Sequence, residues 1–216
     1  DDIENVIKTA ENRMYKRKVN QSKEVHDKII SSLKKNFFAN TQESPEHCQR
    51  LKEMALQLAE ALNIKGQQKT NLTMLAELHD LGKVGIDKEI LNKKGKLTGE
   101  EWGIVKRHPG IGYQSTSSTP KLSNIADGIL SHHEWWNGEG YPQGLSGENI
   151  PLISRVIAVV DAYDIMINGR SYRSSLSPAK AARELIKGKG TQFDPQIVEV
   201  FIDKVCPINS KRFLSA

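Results

Sequence analysis

The chain has 216 residues, 38% of them hydrophobic and 26% charged, a balance that suits one globular domain with an extension and argues against wholesale disorder or a membrane protein. No apolar run approaches the roughly 18 residues of a spanning helix, and Asp1-Asp2-Ile3-Glu4 lacks the layout of a signal peptide, so a soluble, cytoplasmic segment without direct membrane insertion is expected. A net charge of +5 fits an anionic partner, and two distant cysteines, Cys48 and Cys206, argue against a disulfide framework or a zinc knuckle.

In chain order, Ile3, Ile7, Ala10 and Met14, then Val25, Ile29, Leu33 and Phe37, recur at helical spacing and predict a helix up to about residue 39. Its apolar stripe is narrow and broken between Arg17 and Gln21, which predicts a linker helix that packs on a partner or dimerises rather than a core element. His26 on it reads as a surface residue. Ser44-Pro45 marks a new start, with Ser44 as N-cap and Pro45 at the first helical position. Leu51, Met54, Ala55, Leu58 and Leu62 give one helical stripe, and Leu72, Leu75, Ala76 and Leu78 the next. Thr98 with Glu101 forms a capping-box pattern, and Pro109, Pro151, Pro178 and Pro195 introduce further helices. Asn137 to Asn149 is glycine-rich and reads as a loop. Ile153 to Val160 is β-branched like a strand, but its pattern continues through Ala162, Ile165 and Met166 as a buried helix. The expected architecture is an all-α bundle with one long ordered loop.

Five of the six histidines lie after Ser44, and four of them stand beside another potential ligand, in Glu46-His47, His79-Asp80 and His132-His133. A lone helical histidine is usually a surface or satisfied core residue; doublets shift that balance toward metal binding. His79-Asp80 ends an apolar helix and runs into Leu81-Gly82-Lys83, where a carboxylate can bridge two cations while the imidazole, about 100° away around the axis, binds one of them.

The strings His79-Asp80-Leu81-Gly82-Lys83, His108-Pro109, His132-His133-Glu134, Asn137-Gly138-Glu139-Gly140-Tyr141-Pro142 and Asp161-Ala162-Tyr163-Asp164 resemble, in this order, the motifs of an HD-GYP domain. The match covers about residues 41 to 203. One HD pair is common by chance, whereas the ordered set is specific.

The resemblance implies an HD-superfamily helical bundle over 41–216 behind a linker helix over 1–40. It also implies two divalent metals, iron or manganese, with a third in some members. The matching ligand positions are His47, His79, Asp80, His108, His132, His133 and Asp161, with Asp80 as the bridge. Glu43 stands at the spacing of the third-metal glutamate, but Ser44-Pro45 should leave it ahead of the helix. Lys83 matches the lysine that approaches the scissile phosphate; a solvated surface lysine is the bland alternative. Arg170 and Arg173 resemble the Arg-x-Tyr-Arg segment and are expected to clamp the substrate's phosphates, or else to form structural ion pairs. Tyr141 is expected to stack a guanine or dock a partner domain. Trp135 and Asn137 stand where many members have Arg and Asp, which bears on loop anchoring rather than on the ligands. Trp135-Trp136 reads as loop packing, and Cys48 as a buried small side chain. Ala10-Glu11-x-x-Met14-Tyr15-Lys16-x-Lys18 is similar to the closing helix of a GGDEF diguanylate cyclase, which implies a GGDEF partner in the same chain or in trans and a possible homodimer through the helix that follows.

The implied activity is hydrolysis of cyclic di-GMP to pGpG, and onward to GMP. Two alternatives stay open: an HD phosphohydrolase acting on another cyclic dinucleotide such as cyclic GMP-AMP, and a sensory or scaffolding domain that binds nucleotide without turnover.

Overall fold

In a computed structural model, the described residues are 28–169 and 175–207, with positions 5, 8, 11, 13, 14 and 17 upstream. Among them the chain is helical, and a bridge between Lys189 and Phe193 stands apart from any strand. No described helix is long and apolar enough to cross a membrane.

The first described helix, α1, includes residues 28–40. It is followed by α2 (Pro45–Ala61), α3 (Gly66–Leu78), a 3₁₀ turn (Leu81–Gly85), α4 (Lys88–Leu91), α5 (Gly99–Val105), α6 (His108–Ser117), α7 (Ser123–Ser131), α8 (Leu152–Asn168), α9 (Pro178–Lys187) and α10 (Pro195–Lys204). Local chemistry sets these boundaries. Ser44 Oγ accepts the His47 N–H ahead of Pro45, and the Thr98–Glu101 capping box closes in both directions. Ser177 and Asp194 cap α9 and α10, each followed by a proline. The β-branched run 153–160 lies within α8, whose inward side chains are buried all along its length. Its helical spacing therefore prevails over its strand propensity.

Helix α3 is central, packed by α2, α7 and α8, while α9 and α10 close the far side against α8. Leu58, Leu72, Leu75, Ile125, Ile129, Val160 and Phe201 are fully buried between them. Each such side chain contributes about 1.5–3 kcal/mol of burial. Cys48 is buried and free, and its thiol reaches the Glu77 carbonyl at 3.6 Å.

One expectation is corrected. The final turns of α1 belong to the core: Phe37 is 1% exposed, and Ile30, Leu33 and Phe38 pack against the same cluster. Lys34 Nζ also reaches Glu77 of α3 at 2.5 Å. The narrow stripe is enough because only one side of these turns meets the bundle. His26 and, of the GGDEF-like string, Ala10, Tyr15, Lys16 and Lys18 lie outside the described residues.

Candidate metal centre

Helices α2, α3, α6, α7 and α8 bring seven expected ligands to one place in two clusters. Asp80, His108, His132 and His133 form one, and His47, His79 and Asp161 the other; within each, the ligand atoms lie within 4.8 Å of one another. Asp80 stands between them. Its Oδ1 is 3.1 Å from His108 Nε2 and 3.8 Å from His132 Nε2, while its Oδ2 is 3.3 Å from His79 Nε2. Asp161 Oδ1 is 3.4 Å from His47 Nε2 and 4.0 Å from His79 Nε2.

Backbone geometry makes this convergence possible. Helix α3 stops at Leu78, and the chain enters the 3₁₀ turn with His79 and Asp80 facing inward, 1% and 3% exposed. Gly82 then lies against the start of α6, so close that a Cβ there would stand 1.9 Å from the His108 carbonyl oxygen. The glycine permits the approach that sets His108 beside Asp80.

The imidazoles are oriented by their second nitrogen. His108 Nδ1 faces the Val105 carbonyl at 2.8 Å, and His132 Nδ1 the Ile129 carbonyl at 2.5 Å. A carbonyl only accepts, so each Nδ1 carries a proton, and in the neutral imidazole, the metal-binding form, each Nε2 presents a lone pair. Those Nε2 atoms point at one another, 3.3 Å apart. Two lone pairs so close repel unless a cation lies between them. On the other side, His47 Nδ1 is held by Asp164 Oδ2 at 2.7 Å, which aims Nε2 inward. His47 Nε2 and both ring nitrogens of His79 are buried without a hydrogen-bond partner. Buried polar atoms of this kind are costly, and metal ligation satisfies them. The mixed imidazole and carboxylate set suits a first-row divalent ion.

The electrostatics differ across the site. Burial would depress His47, but Asp161 and Asp164 outweigh it and raise its pKa to about 9. His79 is raised in the same way, against burial, by Asp80 and Asp161. Burial, only partly opposed by Asp80, pushes His132 down to about 4. Burial, with His132 and His108 alongside, takes His133 well below its ordinary value. Burial also acts to raise Asp80, yet Lys83 and His79 hold its carboxyl well below the usual range.

Glu43 precedes α2, as Ser44-Pro45 dictates, and is nevertheless buried at the site, its Oε2 3.4 Å from His47 Nε2. Lys83 Nζ contacts Glu43 Oε1 at 2.7 Å and Asp80 Oδ2 at 2.5 Å. Tyr141 stacks on His133 with ring centroids 4.9 Å apart, and burial, with Asp80 and Asp161 adding to it, raises its phenol's pKa. Arg170 and Arg173 lie outside the described residues.

Three contributors were not singled out from the sequence. Asp164, 1% exposed, holds His47 and is itself gripped by Arg50, whose Nε and Nη2 reach its two oxygens at 2.7 and 2.8 Å. Asp164 follows Asp161 by three and Arg50 follows His47 by three, the helical spacing of neighbours on one face, which is the signal that could have found them. Glu134 is buried and accepts the backbone N–H groups of Gln143 and Leu145 at 2.6 and 3.0 Å, pinning the loop that carries Tyr141. At its start the loop is tied through Trp136 N to the Gln192 carbonyl and Asn137 N to the Thr191 carbonyl. Asn137 and Glu139 bond each other locally.

A cleft of about 830 Å³ leads out from Lys83, His108, His133 and Tyr141 toward Trp102 and the Lys93–Gly99 turn. A second, of about 540 Å³, opens beside Glu43, His47 and Asp164.

A helical bundle with two aspartates and five histidines brought together by five helices is the architecture of a metal-binding HD domain, and the HD domain profile matches residues 24–197. The chain belongs to the HD domain family. Among similar proteins, a cyclic di-GMP phosphodiesterase of Vibrio cholerae is 40% identical over 198 residues, covering 85% of this chain and 40% of that protein. A cyclic di-GMP phosphodiesterase of Thermotoga maritima is 37% identical over 162 residues, 74% of this chain and 44% of the relative. The chain therefore spans less than half the length of either. Among solved structures, a cyclic GMP-AMP specific phosphodiesterase of V. cholerae superposes with a TM-score of 0.61 at 23% identity, covering 86% of this chain and 50% of that one, a likeness of fold.

Proposed function

We propose that this chain is a metal-dependent phosphodiesterase that hydrolyses cyclic di-GMP to pGpG, with GMP as a further product, in bacterial second-messenger signalling. The observation that carries the reading is the pair of imidazole Nε2 atoms of His108 and His132 facing each other at 3.3 Å, their other nitrogens fixed on backbone carbonyls. His47, His79 and Asp161 would hold one divalent ion and His108, His132 and His133 the other, with Asp80 shared; iron or manganese suits these donors. Glu43, beside His47, is the candidate ligand for a third. Two such ions, when bound, lower the pKa of a shared water and offset charge on phosphate oxygens.

The chain's own residues do the rest. Lys83 lines the large cleft with its ammonium next to Asp80, placed to favour negative charge on a phosphate entering there. Tyr141, protonated at neutral pH, offers a hydrogen-bond donor and a ring wall in the same cleft. Arg170 and Arg173 are proposed as the phosphate clamp on the grounds of the sequence pattern. A GGDEF domain upstream, with 1–40 as the connecting helix, is proposed on the same basis.

The test is chromatographic: cyclic di-GMP with manganese or anaerobic ferrous iron, wild type against His79→Ala/Asp80→Ala. Metal-dependent pGpG or GMP that disappears in the double variant is expected. Metal-loaded wild type that leaves cyclic di-GMP intact while hydrolysing cyclic GMP-AMP would reassign the substrate, and turnover of neither would reduce the chain to a binding domain.

A further inference from the structure

Beyond the ligands, the 830 Å³ cleft has an outer half that the chemistry above does not use. Its volume falls within the range of about 300–1,000 Å³ typical of small-molecule sites. Trp102, on α5, is 44% exposed there, an unusual placement for so large an apolar side chain. It meets Tyr141 edge to face, with centroids 6.4 Å apart and planes at 76°. Tyr141 in turn stacks on the candidate ligand His133, so an aromatic wall runs without a break from the metal centre to the cleft's outer rim. Lys106, at the C-cap of α5 one turn after Trp102, places its ammonium over both rings, 5.8 Å from the Trp102 centre and 5.1 Å from that of Tyr141. Lys93 at the rim is committed to Glu101, both contacts at 2.7 Å.

A ring wall that holds an ammonium over its faces offers a purine both a surface to stack along and a donor for acceptors on its edge. Guanine presents O6 and N7, both acceptors, whereas adenine pairs its N7 with an N6 donor. An ammonium only donates. We infer that Trp102, Tyr141 and Lys106 seat a guanine base of the substrate, Trp102 supplying the stacking face and Lys106 selecting guanine over adenine. This rests on the reading of the site as a cyclic dinucleotide phosphodiesterase and adds its base preference.

The experiment measures binding of GMP and of AMP to the manganese-loaded chain by calorimetry, with hydrolysis of bis(4-nitrophenyl) phosphate, which has no purine, as a check on the metal centre. Base stacking is worth roughly 10- to 100-fold in affinity. Trp102→Ala should weaken GMP binding by about that factor, Trp102→Phe should restore most of it, and both should cleave the purine-free ester as wild type does. Lys106→Met should shrink the preference for GMP over AMP by roughly tenfold, the scale of one lost charge-assisted hydrogen bond. Equal GMP affinity in wild type and Trp102→Ala overturns the seat, as does a parallel loss of ester cleavage, which would make Trp102 structural. Failure of the substrate reading is distinct: GMP would bind as described while cyclic di-GMP went uncleaved.

Discussion

The two halves of the candidate metal centre position the same side chain, an imidazole, by opposite means. His108 and His132 are propped by carbonyls three residues earlier in the chain, so their orientation follows from local backbone. His47 is wired through Asp164 to Arg50, a network joining α2 to α8 across more than a hundred residues of sequence. Of the propped pair, His132 is driven down to about 4 by burial, while the wired histidine is surrounded by carboxylates and raised to about 9. A propped ligand is only as well placed as the helix that carries it. A wired ligand is only as well placed as its charge partners.

The sharpest way to break the propped half is to push α6 away. In Gly82→Ala the new methyl would stand 1.9 Å from the His108 carbonyl oxygen and 2.6 Å from Gly112 N, a clash of backbone that no rotamer relieves. Overpacking of this severity costs roughly 3 kcal/mol, which in a domain of this size lowers Tm by about 6–12 °C. Metal analysis should show weakened binding at the cluster containing His108. A melting point within about 2 °C of wild type would mean the turn and α6 yield easily, contrary to the close packing described.

Breaking the wire should be milder and confined to the other half. Asp164→Asn keeps the shape but removes the charge that fixes His47 and answers Arg50. Loss of a partner behind a metal ligand typically reduces affinity by roughly 10–100-fold. Manganese titration by calorimetry should show one site weakened by about that factor and the other unchanged. Equal weakening of both sites would show that the halves do not separate.

Where the sequence was legible, the reason was local. Ser44-Pro45, the Thr98 capping box and the proline starts act within one turn of helix, so the residues that cause them are neighbours in the chain. The candidate ligand histidines stood out because they fall in an ordered set of motifs, and all but His108 stand in doublets. Asp164, Arg50 and Glu134 were harder, since each acts through a partner whose proximity only folding creates. Phe37 was misread for a related reason: a stripe too narrow for a central helix is wide enough for one that touches the bundle along one side. Trp102 gave no signal of its own, as its meaning lies in Tyr141 and Lys106 coming alongside it.

The same contrast extends to the attachment of α1, which is wired by charge beside an apolar contact. Lys34 of α1 and Lys52 of α2 both reach Glu77 of α3, at 2.5 and 3.1 Å. Burial alone would raise the Glu77 carboxyl, but the two ammoniums prevail and lower it. A carboxylate lowered on folding adds stability above its unfolded pKa of about 4.3, and that stability is lost as pH falls through the folded value. Glu77 is 22% exposed and the two lysines about a third, so screening limits the contribution to under about 1 kcal/mol. Urea unfolding of wild type and Glu77→Gln should therefore differ at pH 6 and converge toward pH 3, while the contribution of Phe37, read from Phe37→Leu, stays constant over that range. A difference at Glu77 that does not change with pH would show that packing, rather than charge, holds α1 in place.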